Sequence, residues 1–140
     1  MKNWRNILLI CLLIILSGCN GNKAEEVSLK PVEVDLQTPE HVHVNEPFTV
    51  RAVVTQKGEE VADADEVMFE VWKAGDKENS QSLDVMKQNG GKYEIETSFS
   101  EVGEYFVQVH VTARRMHVMP KEKIHVEERA DSIDNHDISE

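Results

Sequence analysis

Six histidines and five methionines, unevenly placed along 140 residues, carry the most distinctive chemistry of this chain. His41-Val42-His43 is one group, His110 stands alone, and Met116-His117-Val118-Met119 is the other. Imidazole suits copper and zinc, while thioether sulfur is soft and selects copper(I). In extended backbone His-x-His and His-x-Met project both side chains to one face, about 7 Å apart at the α-carbons. His41, His43, His110, Met116, His117 and Met119 are therefore the candidate ligands of one copper site, expected to gather at one end of the fold. A plainer reading competes. Methionines commonly fill irregular gaps in a core, and the early histidines could be outward residues of a short edge strand. His125 alternates with Ile124 and Val126 and His136 lies among acids, so neither is assigned a role.

The two cysteines leave no thiol chemistry. Cys11 lies in an apolar leader and Cys19 directly follows it, so the rest of the chain offers no disulfide, thiolate site or cysteine nucleophile. Gly-x-Ser-x-Gly, His-Glu-x-x-His and a Gly-rich phosphate loop are all lacking. No poised acid, base or nucleophile gathers, and the chain reads as a non-enzyme. The acids Glu59, Glu60, Asp63, Asp65 and Glu66 lack the Asp-x-Asp-x-Asp-Gly order of a calcium loop and read as a solvated turn.

The leader fixes the expected location. Lys2 and Arg5 precede an apolar run from Ile7 to Leu16, too short to span a bilayer as a helix and typical of a secretory signal. Its ending, Leu16-Ser17-Gly18-Cys19, resembles the lipobox of bacterial lipoproteins. That resemblance implies a signal peptide over residues 1–18 and a diacylglycerol-modified Cys19 as the mature N-terminus. The protein would then be held by lipid on the extracytoplasmic face of the cell membrane. Loss of Lys2 and Arg5 leaves 13 basic against 26 acidic side chains, a net charge of −13 compared with −11 for the whole chain. Such a balance disfavours nucleic acid, where each phosphate contact needs a cation. Anionic lipid would not attract it either, so the acyl chains must do the anchoring.

The elements that must position the histidines read as strands. Residues 19–31 are small and polar, a tether behind the lipidated cysteine, and 127–140 form an acidic tail too poor in apolar residues to order itself. Between them, over 32–126, apolar residues alternate: Val32, Val34, Leu36; then Val50, Ala52, Val54; then Val67, Phe69, Val71; and most strongly Tyr105, Val107, Val109, Val111. Period-two alternation broken by turn signals predicts strands with one buried face. About seven such strands predict an all-β, single immunoglobulin-like sandwich. Glu101-Val102-Gly103-Glu104-Tyr105 resembles a tyrosine corner, with Tyr105 expected to bond upstream backbone. Trp72 is either an exposed contact aromatic or the cover of a second sheet face shared with Met68. Register around Arg114-Arg115 stays open. A four-residue connection would set His110 opposite His117, and a three-residue one would turn His117 and Met119 to the other face.

Gly103 through Lys121, with Tyr105, His110-Val111-Thr112-Ala113 and Met116-His117-Val118-Met119-Pro120, resembles the YtkA-like (FixH-like) domain of Gram-positive bacterial lipoproteins. His41-Val42-His43, Gly58, Val61, Ala64 and Gly91-Lys92-Tyr93 fit the same pattern. The resemblance implies a membrane-attached immunoglobulin-like domain, with copper as its candidate ligand and a membrane protein as candidate partner. The alternative is a metal-free interaction module for a membrane or secreted partner. Only His117-Val118-Met119 matches the end of the spaced His/Met motif of periplasmic copper chaperones.

Overall fold

Strong alternation builds the long strands, and backbone pairing adds short ones with little or no apolar signal. A computed structural model describes residues 30–130. The expected signal peptide, Cys19, nearly all of the expected tether and most of the acidic tail lie outside the described residues. Eleven strands follow in order: β1 (Val32–Gln37), β2 (His41–His43), β3 (Phe48–Gln56), β4 (Glu59–Glu60), β5 (Glu66–Lys73), β6 (Gln81–Asp84), β7 (Lys87–Asn89), β8 (Lys92–Thr97), β9 (Gly103–Ala113), β10 (Met116–Val118) and β11 (Lys121–Glu127). A single 3-10 turn, Lys77–Asn79, precedes β6.

The strands form two sheets. One runs β1-β3-β8-β7 with β4 beside β3, and the other runs β2-β11-β9-β5-β6 with β10 beside β9. Four strands of the first and three at the heart of the second reproduce an immunoglobulin-like arrangement. Eleven strands rather than seven are present, because β2, β4, β7 and β10 are only two or three residues long. β4 is Glu-Glu and β7 is Lys-Gln-Asn, both exposed, so no hydrophobic pattern could announce them. The first strand also splits at Thr38-Pro39-Glu40. β1 pairs with β3 in one sheet, and β2 then joins β11 in the other, in parallel.

The core lies between the inner faces. Val50, Ala52 and Val54 of β3 and Tyr93 and Ile95 of β8 pack with Phe69 and Val71 of β5, Val107, Val109 and Val111 of β9, and Ile124 and Val126 of β11. Val50, Ala52, Val54, Phe69, Val107, Val109, Val111 and Ile124 are completely buried. Fully burying one such side chain is worth about 1.5–3 kcal/mol, and no disulfide is needed to close the sandwich.

The expected tyrosine corner is not at Tyr105. That ring stacks on Phe99 at 4.0 Å, with the Lys73 ammonium 5.9 Å from its centroid. Tyr93 makes the upstream bond instead, donating its buried hydroxyl to the Val61 carbonyl at 2.9 Å. The Ala64 N–H donates to the same hydroxyl at 3.4 Å. Tyr93 thereby holds the β4–β5 connection onto β8. Tyr93→Phe should lower stability in urea unfolding by about 1–2 kcal/mol, since a buried carbonyl loses its donor.

Candidate functional site

Three groups of side chains occupy the outer face of the six-stranded sheet, and β9 runs through the middle of them. Its odd positions from Tyr105 to Ala113 are buried, so Phe106, Gln108, His110 and Thr112 point outward.

The turn after β9 decides where the late histidine and methionine go. Arg114 and Arg115 take left-handed conformations, φ 52° and 64°, and form a two-residue connection. Left-handed backbone at both central positions matches the twist of a hairpin, though Asn-Gly is its usual sequence. Arg114 is held by a paired contact with Asp63, 2.8 Å at each nitrogen. Neither longer connection occurs: Met116 pairs with Ala113, His117 with Thr112 and Val118 with Val111.

Beyond Pro120 the register is unchanged, because Lys121 pairs with Gln108 as Val118 pairs with Val111. Met119 consequently stands opposite His110. Pro120 has no N–H to donate, which divides one continuous strand into β10 and β11 without a bulge. The Val109 N–H still donates to the Pro120 carbonyl at 3.1 Å.

His110, His117 and Met119 thus share one face. The two imidazole centroids are 6.0 Å apart and tilted by 47°. His110 Nε2 lies 3.1 Å from Glu70 Oε2, and His117 Nδ1 lies 2.9 Å from Thr112 Oγ1. His110 is half-buried, whereas His117 and Met119 are exposed.

The expected gathering of all six candidate ligands does not occur. Met116 turns inward against the core, and its sulfur accepts the Val32 N–H at 3.4 Å. His41 and His43 lie at the opposite end of the sheet, paired across from His125 and Glu127. His125 is eight residues beyond His117 along the same strand, about 26 Å at an ordinary strand rise. That distance forbids a common ion. His43 Nδ1 contacts Glu46 Oε2 at 3.2 Å, and Arg129 reaches the same oxygen at 3.3 Å. Among the described residues, no three His, Asp or Glu side chains are already gathered around one point.

One contact was not legible in the sequence, and the structure decides between the two readings of Trp72. His125, assigned no role there, stacks on His41 at 5.2 Å. Trp72 is buried yet lies outside the core cluster, because it packs on the outer face against Phe106 at 5.6 Å. Lys77 lies 4.2 Å from the Trp72 centroid, and Lys121 lies 4.7 Å from that of Phe106. Both findings depend on pairings between distant segments. Among the acids of the β4–β5 region, Asp63 is paired with Arg114 and Glu60 lies 3.5 Å from Lys92.

Electrostatics at the site centre on Glu70. Hydrogen bonds from Ser80 above all, then from His110, together with the Lys77 charge, hold its carboxyl below the ordinary value near 4.5, against the opposing effect of burial. A depressed carboxyl contributes stability that is present above its unfolded pKa and is lost as pH falls through the folded one. Stability should therefore decline below about pH 4.5, as expected for a carboxylate, and Glu70→Gln should make that decline shallower in urea unfolding measured against pH.

Solved structures of similar shape show the fold alone. An engineered protein matches with a TM-score of 0.55 and 20% identity, over 69% of this chain and 20% of that one. The chain thus spans about a fifth of that protein's length. A superoxide reductase (neelaredoxin) variant from Ignicoccus hospitalis matches at 0.48 and 18% identity, over 71% and 83% of the two chains. Murine CRIg matches at 0.43 and 15%, over 69% and 98%. No curated protein matches the sequence. The family model for YtkA-like proteins matches residues 26–110, well over half of the chain, and the protein belongs to the YtkA-like family.

Proposed function

We propose that this protein is a lipid-anchored, extracytoplasmic YtkA-like domain that holds copper(I) through His110, His117 and Met119. The observation that carries the reading is the unbroken register on either side of Pro120, which aligns two imidazoles and a thioether on one outward face. Thioether with imidazole is a donor set that favours copper(I) over zinc. Glu70 and Thr112 each engage one ring nitrogen, leaving His110 Nδ1 and His117 Nε2 for a metal. Such outer-shell partners orient metal-binding histidines and set their tautomers.

The placement also suits exchange with a membrane partner. Val32, where the tether enters the domain, contacts Met116 beside the hairpin. The anchor on Cys19 would therefore draw the copper-binding end of the sandwich toward the membrane. Met119 is 48% exposed, so an ion held there could pass to another protein without unfolding of the domain.

A second reading, a metal-free interaction module, draws on the neighbouring Trp72–Phe106 patch. These aromatics, overlain by Lys77 and Lys121, could seat a partner with no ion involved. Copper(I) titration of the tag-free full-length chain in detergent, against a competing chelator, separates the two. His117→Ala with Met119→Ala should weaken copper(I) binding by more than about tenfold, the least expected even for an outer-shell change. His43→Ala, at the far end of the sheet, should leave it unchanged. Equal copper(I) affinity in wild type and the double variant would favour the interaction module.

The lipid anchor is tested separately. Cys19→Ala should leave the precursor unprocessed or release the protein from the membrane fraction. A variant that matures and fractionates like wild type would remove the anchor from the reading.

A further inference from the structure

The far end of the same sheet face carries a second histidine pair whose surroundings differ in kind from the first. β2 and β11 run parallel with His41 directly opposite His125, so both rings leave the same face of adjacent strands. They stack at 5.2 Å with 23° between their planes. The side chains are 57% and 38% exposed, open to an arriving ion.

Carboxylates rather than sulfur surround this pair. His41 Nδ1 lies 2.8 Å from Glu127 Oε1, and His125 Nδ1 lies 3.8 Å from Glu104 Oε1. A carboxylate oxygen only accepts, so Nδ1 of His41 carries a proton, and in the neutral ring Nε2 presents the lone pair. Glu40 Oε1 lies 3.9 Å from that Nε2, and the Glu40 carbonyl accepts the His125 N–H at 2.8 Å. Glu104 is paired with Lys123 at 3.0 Å. A cleft of about 540 Å³ opens beside His125 and Glu40. Thr38, which also lines it, has a buried hydroxyl with no hydrogen-bond partner among the described residues.

We infer that His41 and His125 form a binding site for a borderline divalent cation, zinc(II) or copper(II), distinct from the copper(I) site. The two Nε2 atoms are the protein nitrogen ligands, Glu40 supplies a carboxylate by rotation of an exposed side chain, and water from the cleft completes the shell. Tetrahedral zinc needs nitrogens about 3.3 Å apart, given bonds of 2.0–2.1 Å. Stacked rings on neighbouring strands reach that spacing by tilting their edges together. Glu127, and more loosely Glu104, stand as the carboxylates that histidine ligands commonly hold behind them. Excess negative charge attracts a cation, and nitrogen with oxygen donors suits zinc(II) or copper(II) better than copper(I).

Zinc chloride titration of the tag-free full-length chain, against a chromophoric chelator, provides the test. Wild type should take up one equivalent at this pair. His41→Ala or His125→Ala should weaken zinc binding by at least about tenfold, and Glu127→Gln by about tenfold to a hundredfold as an outer-shell change. His41→Ala with His125→Ala should lose zinc while its copper(I) titration stays as in wild type, which keeps this inference separate from the proposed copper(I) function. Should an alanine variant misfold, zinc-induced shifts of the His41 and His125 ring resonances in the wild-type protein report binding at the pair directly, and unshifted resonances refute it. Absence of zinc uptake by wild type would overturn the inference, as would zinc binding that survives the double variant or that is lost only from His110→Ala with His117→Ala.

Discussion

Strand β9 is the constraint on which the remaining architecture depends. It is the longest strand, it lies between β5 and the β10–β11 strand, and its buried positions from Tyr105 to Ala113 lock its facing without ambiguity. A one-residue slip would turn Val107, Val109 and Val111 to solvent and Phe106, Gln108 and His110 into the core. With β9 fixed, the facing of each partner follows from its pairing. Met68 stands opposite His110, Trp72 opposite Phe106 and His117 opposite Thr112. The outer face is in this sense a consequence of the inner one.

The Arg114-Arg115 turn conveys that order to the last strand. Two successive non-glycine residues in the left-handed region cost about 1–2 kcal/mol each, a conformation sustained only where surrounding structure over-determines it. Here the β9–β10 pairing and the Asp63 contact to Arg114 do so. A two-residue turn keeps His117 and Met119 outward and sends Met116 inward. Pro120 interrupts hydrogen bonding but not register, so the same phase extends to His125 and on to the parallel pairing with β2.

Charge is distributed along this face in a graded way. At the hairpin end, Glu70 is shared by Ser80, His110 and Lys77. The middle is aromatic, with lysines lying over Trp72 and Phe106 in cation–π contact. At the far end, Glu40, Glu104 and Glu127 face His41 and His125, and Lys123 pairs with Glu104. The two histidine pairs therefore share a sheet face and differ in environment: one has a thioether and Glu70 beside it, the other Glu40, Glu104 and Glu127. Lys77 ties the hairpin end to the middle, since it lies over Trp72 and 3.6 Å from Glu70.

The sequence by itself determined that this is an all-β sandwich, because alternation at Val50-Ala52-Val54, Phe69-Val71 and Tyr105-Val107-Val109-Val111 admits only strands with one buried face. It also picked out imidazole and thioether groups as candidate metal ligands, but it passed over His125. The short strands β4 and β7 escaped it, since two or three polar residues held by backbone bonds leave no hydrophobic period. The grouping of the candidate ligands escaped it as well. His110, His117 and Met119 come together only through the turn length and the register beyond Pro120. His41 meets His125 rather than His117 because β2 crosses to the other sheet and pairs in parallel with β11. Likewise Tyr93, not Tyr105, finds a carbonyl, since the β4–β5 connection passes over β8. Composition and periodicity are local, whereas pairing between distant segments is settled by burial of the whole core, and that only the tertiary structure decided.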